Sequence, residues 1–406
     1  MAPRVAVTGI GAVTPVGTGR GVFWENLLAG ASGIAPVESF DTSSFRVHLG
    51  AEVRDFDPTL HLETLDPESL GRASQMAVAA ARMALADAGL DPGGLDPERA
   101  GVAMGTTSGE PREVERFNDR WVAEELDRVG PRFMSLYPCH VIAGHVAGEV
   151  GFAGPNVMIP AACAAGNHAF ASAFDALQSG RAEVMLAGAA DSFSRITYTG
   201  FARLGAIAPE RCQPFDKNRR GMIPGEGAAV LVMEPLERVR ERGGRIYAEM
   251  VGYGLSCDAY HMTAGHPEAD GAVRAMAQAL AMAGVDAGEV SYVSAHGTGT
   301  PTNDRLETVA VKRVFGDRAS RVPISSIKSM IGHTMGAASA IEGAVCALAI
   351  AEGRVPPTIN YEEPDPECDL DCVPNAAREL EVELAMSNAY AFGGNNASVI
   401  FRRCDG

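Results

Sequence analysis

Short apolar runs alternate along the chain with longer stretches in which apolar residues recur at helical spacing. Val5 to Thr8 predicts a strand, Gly9 to Gly17 a glycine-rich turn, and about Gly21 to Leu28 a helix. Arg72 to Ala88 is rich in alanine and methionine and predicts a helix that can be buried on nearly every face. Gly101 to Gly105 reads as a strand, residues 110 to 135 as a polar surface excursion, and His140 to Val150 as a helix. Val157, Met158 and Ile159 lead as a strand into a turn of small residues. Phe170, Phe174 and Leu177 then mark a helix, and Val184 to Leu186 another strand. Further strands are predicted at Ala228 to Met233, Tyr247 to Gly254, Ser291 to Ser294, Val322 to Ser326, Leu384 to Asn388 and Val399 to Phe401. Helices are predicted at Gly271 to Ala283, at Asp304 to Phe315, and after the turn KSMIGHTMG. Residues 354 to 380 are proline-rich and loop-like. Strands alternating with helices define an α/β protein. The two halves echo one another, each with strand–glycine turn–helix units that bear reactive side chains. They divide as residues 1–245 and 246–406, with no low-complexity linker between them, so one fused body is expected.

A chain of 406 residues can bury a large core. Its net charge of -17 argues against non-specific nucleic-acid binding, yet a local basic patch would suffice for an acidic protein partner. The eight cysteines are scattered, which suggests reduced thiols and a cytoplasmic protein. Cys368 and Cys372 flank Asp-Leu-Asp without a second pair or a nearby histidine, so no metal is expected. The start, MAPRVAVTGIGAVTPVG, lacks the apolar core of a signal peptide, and no run of about 18 apolar residues predicts a membrane span. Gly9, Gly11 and Gly17 miss the GxGxxG spacing, which discounts a dinucleotide site.

Cys163 is the centre of the chemistry. It lies between the Val157–Ile159 run and the helix that follows, at a helix N-terminus where free N–H groups and the dipole favour a thiolate. The plain alternative is a buried structural cysteine. Two histidines change the balance. His296 follows Tyr292-Val293-Ser294-Ala295, and His333 follows Lys328 in SSIKSMIGHTMG. Each alone reads as a turn residue with a satisfied hydrogen bond. All three sit in small-residue turns after strands, and such strand ends converge in α/β sheets. A cysteine with two histidines suits covalent acyl chemistry: the sulfur attacks a thioester, and the imidazoles donate to oxygen as negative charge develops.

The motifs VAVTGIGAVTPVG, AACAAGNHA, DKNRRGMIPGEGAAVLVME, DAYHMT, SAHGTGTPTND, SSIKSMIGHTMGAA, PPTIN and SNAYAFGGNNAS span nearly the whole chain. By them it resembles the β-ketoacyl-[acyl-carrier-protein] synthases, closest to the type II elongating class of fatty acid and discrete polyketide synthesis. The resemblance implies a thiolase-like fold: two pseudo-duplicated halves in a layered αβαβα arrangement. It implies that Cys163 is the nucleophile and that His296 and His333 assist malonyl decarboxylation. Lys328 would support the second histidine, with Glu342 as its partner. Backbone N–H groups of Cys163 and Phe392 would form the oxyanion hole, and Phe392 would also be the gate. Asp304 and Glu307 would hold the loop around His296. Thr298 and Thr300 would contact the phosphopantetheine arm. The implied reaction is a decarboxylative Claisen condensation that lengthens an acyl chain by two carbons. The enzyme would need no cofactor of its own, because the phosphopantetheine belongs to the acyl carrier protein. That carrier and a second subunit, identical or chain-length-factor-like, are the implied partners.

The chain departs from the family pattern in several places. Ala161 and Ala162 stand where Thr-Ala is usual, Ala391 where glycine precedes the gate, and Asn395 where threonine is usual. Ser108 stands where fatty-acid enzymes carry a larger apolar residue in the acyl pocket, which hints at a bulkier or less saturated chain. Residues 61–72, HLETLDPESLGR, are mostly acidic where bacterial fatty-acid enzymes carry a basic cluster. Arg203, Arg211, Lys217, Arg219 and Arg220 remain as docking candidates, or a partner subunit supplies the basic surface. Two other readings use the same fold, a non-elongating acyltransferase and a chain-length or scaffold subunit. The intact His296, His333 and Lys328 count against the first, and Cys163 counts against the second.

Overall fold

The computed structural model describes residues 2–404. Five strands form the first half: β1 (Val5–Thr14), β2 (Ala100–Gly105), β3 (Asn156–Ile159), β4 (Val184–Asp191) and β5 (Gly227–Pro235). Their order is β3-β2-β4-β5-β1, with β3, β2 and β4 parallel and the β4–β5 and β5–β1 pairs antiparallel. The second half has β6 (Ala248–Cys257), β7 (Tyr292–Ser294), β8 (Ile324–Ser325), β9 (Leu384–Tyr390) and β10 (Asn395–Arg402). Their order is β8-β7-β9-β10-β6, with the same sequence of parallel and antiparallel pairs. The halves are therefore topological copies. They join where β1 runs antiparallel to β6, with Val5, Ala6 and Val7 opposite Met250, Glu249 and Ala248.

The helices are α1 (Arg72–Ala88), α2 (Pro111–Val122), α3 (Val141–Val150), α4 (Ala165–Gln178), α5 (Arg195–Arg203), α6 (Asp270–Ala283), α7 (Pro301–Phe315) and α8 (Gly336–Glu352). α1 and α3 cover the outer face of the first half; α6 packs on the strands of the second, and α7 lies beside it and shares its apolar core. α4 and α8 lie between the halves and touch strands of both. This is the αβαβα layering that the family resemblance implied. The middle layer explains the composition of α8, in which every residue from Gly336 to Ile350 is buried. A helix walled in on all sides must be apolar all round and narrow where it crosses a neighbour. A Cβ on Gly166 of α4 would stand 2.3 Å from the Ala340 nitrogen, so only glycine permits that crossing.

Three elements differ from the pattern-based reading. β1 runs for ten residues to Thr14, so the turn expected at Gly9 to Gly17 is confined to its end, at Pro15 and Val16. Its glycines are contact points: a Cβ on Gly9 or Gly11 would lie 2.1 Å from the Ala84 oxygen or 1.9 Å from the Ala80 oxygen of α1. β10 likewise starts at Asn395, inside the stretch read as a glycine turn. The polar excursion at 110 to 135 contains α2, whose narrow apolar stripe is Val114, Phe117 and Trp121. Stacking of Phe117 on Phe133 (4.6 Å) and a Glu113–Arg116 ion pair help to hold it. Among the described residues no helix is long and apolar enough to cross a membrane, and no cluster of side chains is suited to hold a metal ion. Cys368 and Cys372 are buried free thiols.

Candidate active site

After β3 the chain turns at Pro160 and Ala161, makes one tight turn at Ala162–Ala164, and enters α4. Ala162 has φ 47°, a left-handed value uncommon for a residue with a side chain, and this sharp bend presents Cys163 at the helix mouth. Cys163 is 7% exposed. The N–H groups of Cys163 and Phe392 reach its sulfur and favour the thiolate, as does the Lys328 ammonium. Burial outweighs them and pushes the thiol up to about 12, with the Asp191 carboxylate adding to the rise. The stabilised thiolate expected from the helix terminus is therefore not the resting state; desolvation dominates.

His296 follows β7 in the turn to α7. Glu307 of α7 accepts from the N–H groups of His296 (2.9 Å) and Gly297 (2.7 Å). Asp304, one turn earlier, accepts from Phe215 N (2.8 Å) and Gly299 N (3.2 Å). Both carboxyls are raised by burial, Glu307 to about 8. Gly299 has φ 80°, and a Cβ there would meet the Gly221 oxygen at 2.8 Å, which is why glycine separates the two threonines. Thr300 caps α7, and the Thr298 and Thr300 hydroxyls bond each other at 2.9 Å.

His333 lies between β8 and α8. Its N–H donates to Ile223 O at 2.6 Å, and the Met335 N–H donates to its Nδ1 at 3.2 Å. An Nδ1 that accepts a hydrogen bond leaves the proton of the neutral ring on Nε2. The two imidazoles stand nearly perpendicular, with centroids 5.5 Å apart. Burial holds both well below the usual histidine range, and the Lys328 charge lowers them further. Both rings are neutral at physiological pH. Lys328 is fully buried and ion-paired with Glu342 of α8. Burial raises the Glu342 carboxyl while Lys328 pulls it down.

Cys163, His296, His333, Thr298, Thr300 and Phe392 share one cavity of about 210 Å³, and Glu307 also reaches its wall. Lys328, Asp304 and Glu342 stand behind that wall. Phe392 is 39% exposed and rests on Phe201, at a centroid distance of 5.8 Å. Ser108 is not in this group. It is exposed, on the turn after β2, and its N–H donates to Asp191. Three of the five basic candidates are also spent locally. Arg211 pairs with Glu362, Lys217 with Glu363, and Arg219 is buried against Asp365. Arg203 and Arg220 are exposed, and among the described residues neither has an ion-pair partner within 4.0 Å. Tyr390, Met222 and Phe201 also line the cavity and were not singled out from sequence. Tyr390 stands 5.8 Å from the His296 ring, and its position two residues before Phe392 was the available signal.

The family profile described as "Beta-ketoacyl synthase, N-terminal domain" matches residues 2–238, and its C-terminal counterpart matches residues 247–362. A protein of Synechocystis sp. named 3-oxoacyl-[acyl-carrier-protein] synthase 2 is 40% identical, with 98% of each chain covered. Among solved structures, the ishigamide ketosynthase/chain length factor superposes with a TM-score of 0.96 at 41% identity, covering 100% of both chains. A type II PKS ketosynthase, solved with its acyl-carrier protein and bound to the hexaketide, superposes with a TM-score of 0.93 at 33% identity, again over 100% of both chains.

Proposed function

The chain belongs to the β-ketoacyl synthase family and is a condensing acyltransferase of chain elongation, and from that premise we propose the parts its residues play. Cys163 takes an acyl group from a carrier protein as a thioester. The backbone N–H groups of Cys163 and Phe392 hold the thioester oxygen as it becomes negative. Malonyl-carrier protein then enters past Phe392, its phosphopantetheine arm held by Thr298 and Thr300. Neutral His296 and His333 donate hydrogen bonds to the malonyl thioester oxygen while carbon dioxide leaves. The carbanion attacks the acyl carbon, the bond to Cys163 breaks, and a β-ketoacyl-carrier protein departs. Lys328 keeps a positive field behind the imidazoles, and Asp304 and Glu307 fix the His296 turn. Phosphopantetheine arrives on the carrier, and the protein's residues need only cradle it.

One observation carries this reading: a sulfur and two neutral imidazoles share one cavity, with two backbone N–H groups already aimed at the sulfur. Neutral imidazoles suit donation to an enolate-like oxygen, and exclusion of water protects the acyl-cysteine from hydrolysis. The carrier docks through Arg203 and Arg220, the two of the five basic candidates that no described acidic residue pairs. A second synthase-like subunit completes the assembly, in keeping with the ketosynthase/chain length factor pair among the structural relatives. The protein works in the cytoplasm, where its eight free cysteines stay reduced.

Intact-protein mass measurement with acyl-carrier proteins of varied chain type tests the loading step. The expected result is one acyl adduct that is absent in Cys163→Ala. An adduct that persists in that variant contradicts the reading.

A further inference from the structure

Asp191 ends β4, where an otherwise apolar strand closes on a carboxylate that is 1% exposed. Its oxygens accept from Thr106 Oγ1 (2.9 Å), Thr107 N (2.9 Å), Ser108 N (3.1 Å) and Gly336 N (2.8 Å). The first three donors belong to the turn after β2, and the fourth opens α8. A single side chain thus ties two strand ends to the start of the central helix. The fit at Gly336 is tight: a Cβ there would lie 2.8 Å from Asp191 Oδ2 and 2.9 Å from Thr107 N.

Only Thr334 and Met335 separate this clamp from His333. Met335 has φ 56° and ψ -128°, a region that side-chain-bearing residues avoid. Its N–H is the one that donates to His333 Nδ1. Backbone strain of this kind persists only where the surroundings over-determine it. Two anchors do so here: His333 N is held by Ile223 O, and Gly336 N is held by Asp191. If the Gly336 anchor were released, Met335 could relax and its N–H would leave the imidazole.

We infer that Asp191 is a positioning residue for His333: by holding Gly336 it keeps Met335 strained, and so fixes the tautomer and direction of the imidazole. The inference rests on the reading of His333 as a hydrogen-bond donor during decarboxylation. Asp191 does not line the cavity, so its hold on His333 passes through backbone, while its charge separately raises the Cys163 thiol.

The test compares D191N, D191N/M335G and H333A, in the full chain, for carbon dioxide release from malonyl-carrier protein and for acyl loading of Cys163. Asn has the size of Asp, but its NH2 group cannot accept a hydrogen bond. D191N is expected to lower kcat for decarboxylation by about tenfold or more, since small misplacements of a reacting group cost that much; KM stays within about twofold, and loading does not fall, because loss of the Asp191 charge removes one influence that raises the Cys163 thiol. Glycine adopts the Met335 conformation without strain, so M335G is expected to restore the D191N enzyme by about fivefold or more. A residue that merely caps α8 gives no such rescue. G336A offers a second route, because its methyl group displaces the clamp while leaving the charge. The same loss and the same rescue by M335G are expected. Ring-labelled wild-type protein should show His333 protonated at Nε2 by 15N NMR. Undiminished kcat in D191N, equal losses in loading and decarboxylation, absence of rescue, or an Nδ1-protonated His333 would each overturn the inference. If H333A itself keeps decarboxylation, the reading of His333 fails, and the inference with it. If H333A loses decarboxylation while D191N keeps it, the inference alone fails.

Discussion

Removing the Glu342 carboxylate isolates the Lys328 ammonium in the interior. Both side chains are within 1% of complete burial, and their ion pair is the contact that holds the lysine. Breaking a buried pair from one side costs about 3–5 kcal/mol, because the remaining charge is left without compensation. Over 406 residues the unfolding entropy is about 0.85 kcal/mol/K, so Glu342→Ala lowers Tm by about 5 °C. Replacing both partners by apolar residues of similar size removes the stranded charge as well. Lys328→Met with Glu342→Leu is therefore expected to bring Tm back to within about 2 °C of wild type. Chemistry should not return with stability. Lys328 is the strongest influence favouring the Cys163 thiolate, so its loss drives the thiol further up. The assay is differential scanning calorimetry beside the rate of iodoacetamide alkylation at Cys163 as a function of pH. The double variant should fold like wild type and alkylate more slowly at every pH below the thiol midpoint. An unchanged Tm in Glu342→Ala, or wild-type alkylation in the double variant, would refute the argument.

Gly11→Ala places a methyl group against the α1 backbone and is expected to cost at least about 2 kcal/mol by urea denaturation, with the secondary structure kept. Glu110 accepts from Ala73 N and Ser74 N at the start of α1, and burial pushes it from 4.5 up to about 7. Because the folded value is the higher one, its contribution is complete below pH 4.5 and is lost as pH rises through 7. About 3 kcal/mol of stability should disappear across that window, and Glu110→Gln should flatten the dependence. Arg203→Glu and Arg220→Glu are each expected to raise KM for the carrier-bound substrate by about tenfold at low salt, with kcat little changed. Lys217→Glu and Arg211→Glu should change it far less, because both positions are already neutralised; steady-state kinetics at two salt concentrations separates the cases.

The candidate site was legible as a group because its residues sit in local, recognisable turns that the fold brings to one cavity. Cys163 and His296 follow a strand within a few residues, His333 follows one after a short helical turn at Lys328–Ile331, and their small-residue turns mark the spots. The repeated α/β pattern was legible for the same reason, since periodicity reports strands and helices directly. What was not legible depends on partners far along the chain. Gly9 and Gly11 resemble turn residues until α1, some 70 residues later, is seen against them. Arg211, Lys217 and Arg219 resemble a basic patch until Glu362, Glu363 and Asp365 fold back onto them. The state of the Cys163 thiol follows from burial, a tertiary property that a helix terminus alone does not predict. Asp191 carried a faint signal, an acid closing the apolar run VMLAGAAD, but its role appears only when Gly336 is brought beside it.

On this reading one cavity both holds an acyl group on Cys163 and drives decarboxylative condensation onto it. The most direct measurement starts from enzyme loaded once with an acyl group, freed of excess donor and mixed with malonyl-carrier protein in a single turnover. Carbon dioxide, β-ketoacyl-carrier protein and residual acyl-enzyme are then counted together. One carbon dioxide and one β-ketoacyl product are expected for each adduct that disappears. Clearance of the adduct to free acid, or carbon dioxide release with the adduct intact, would contradict that reading.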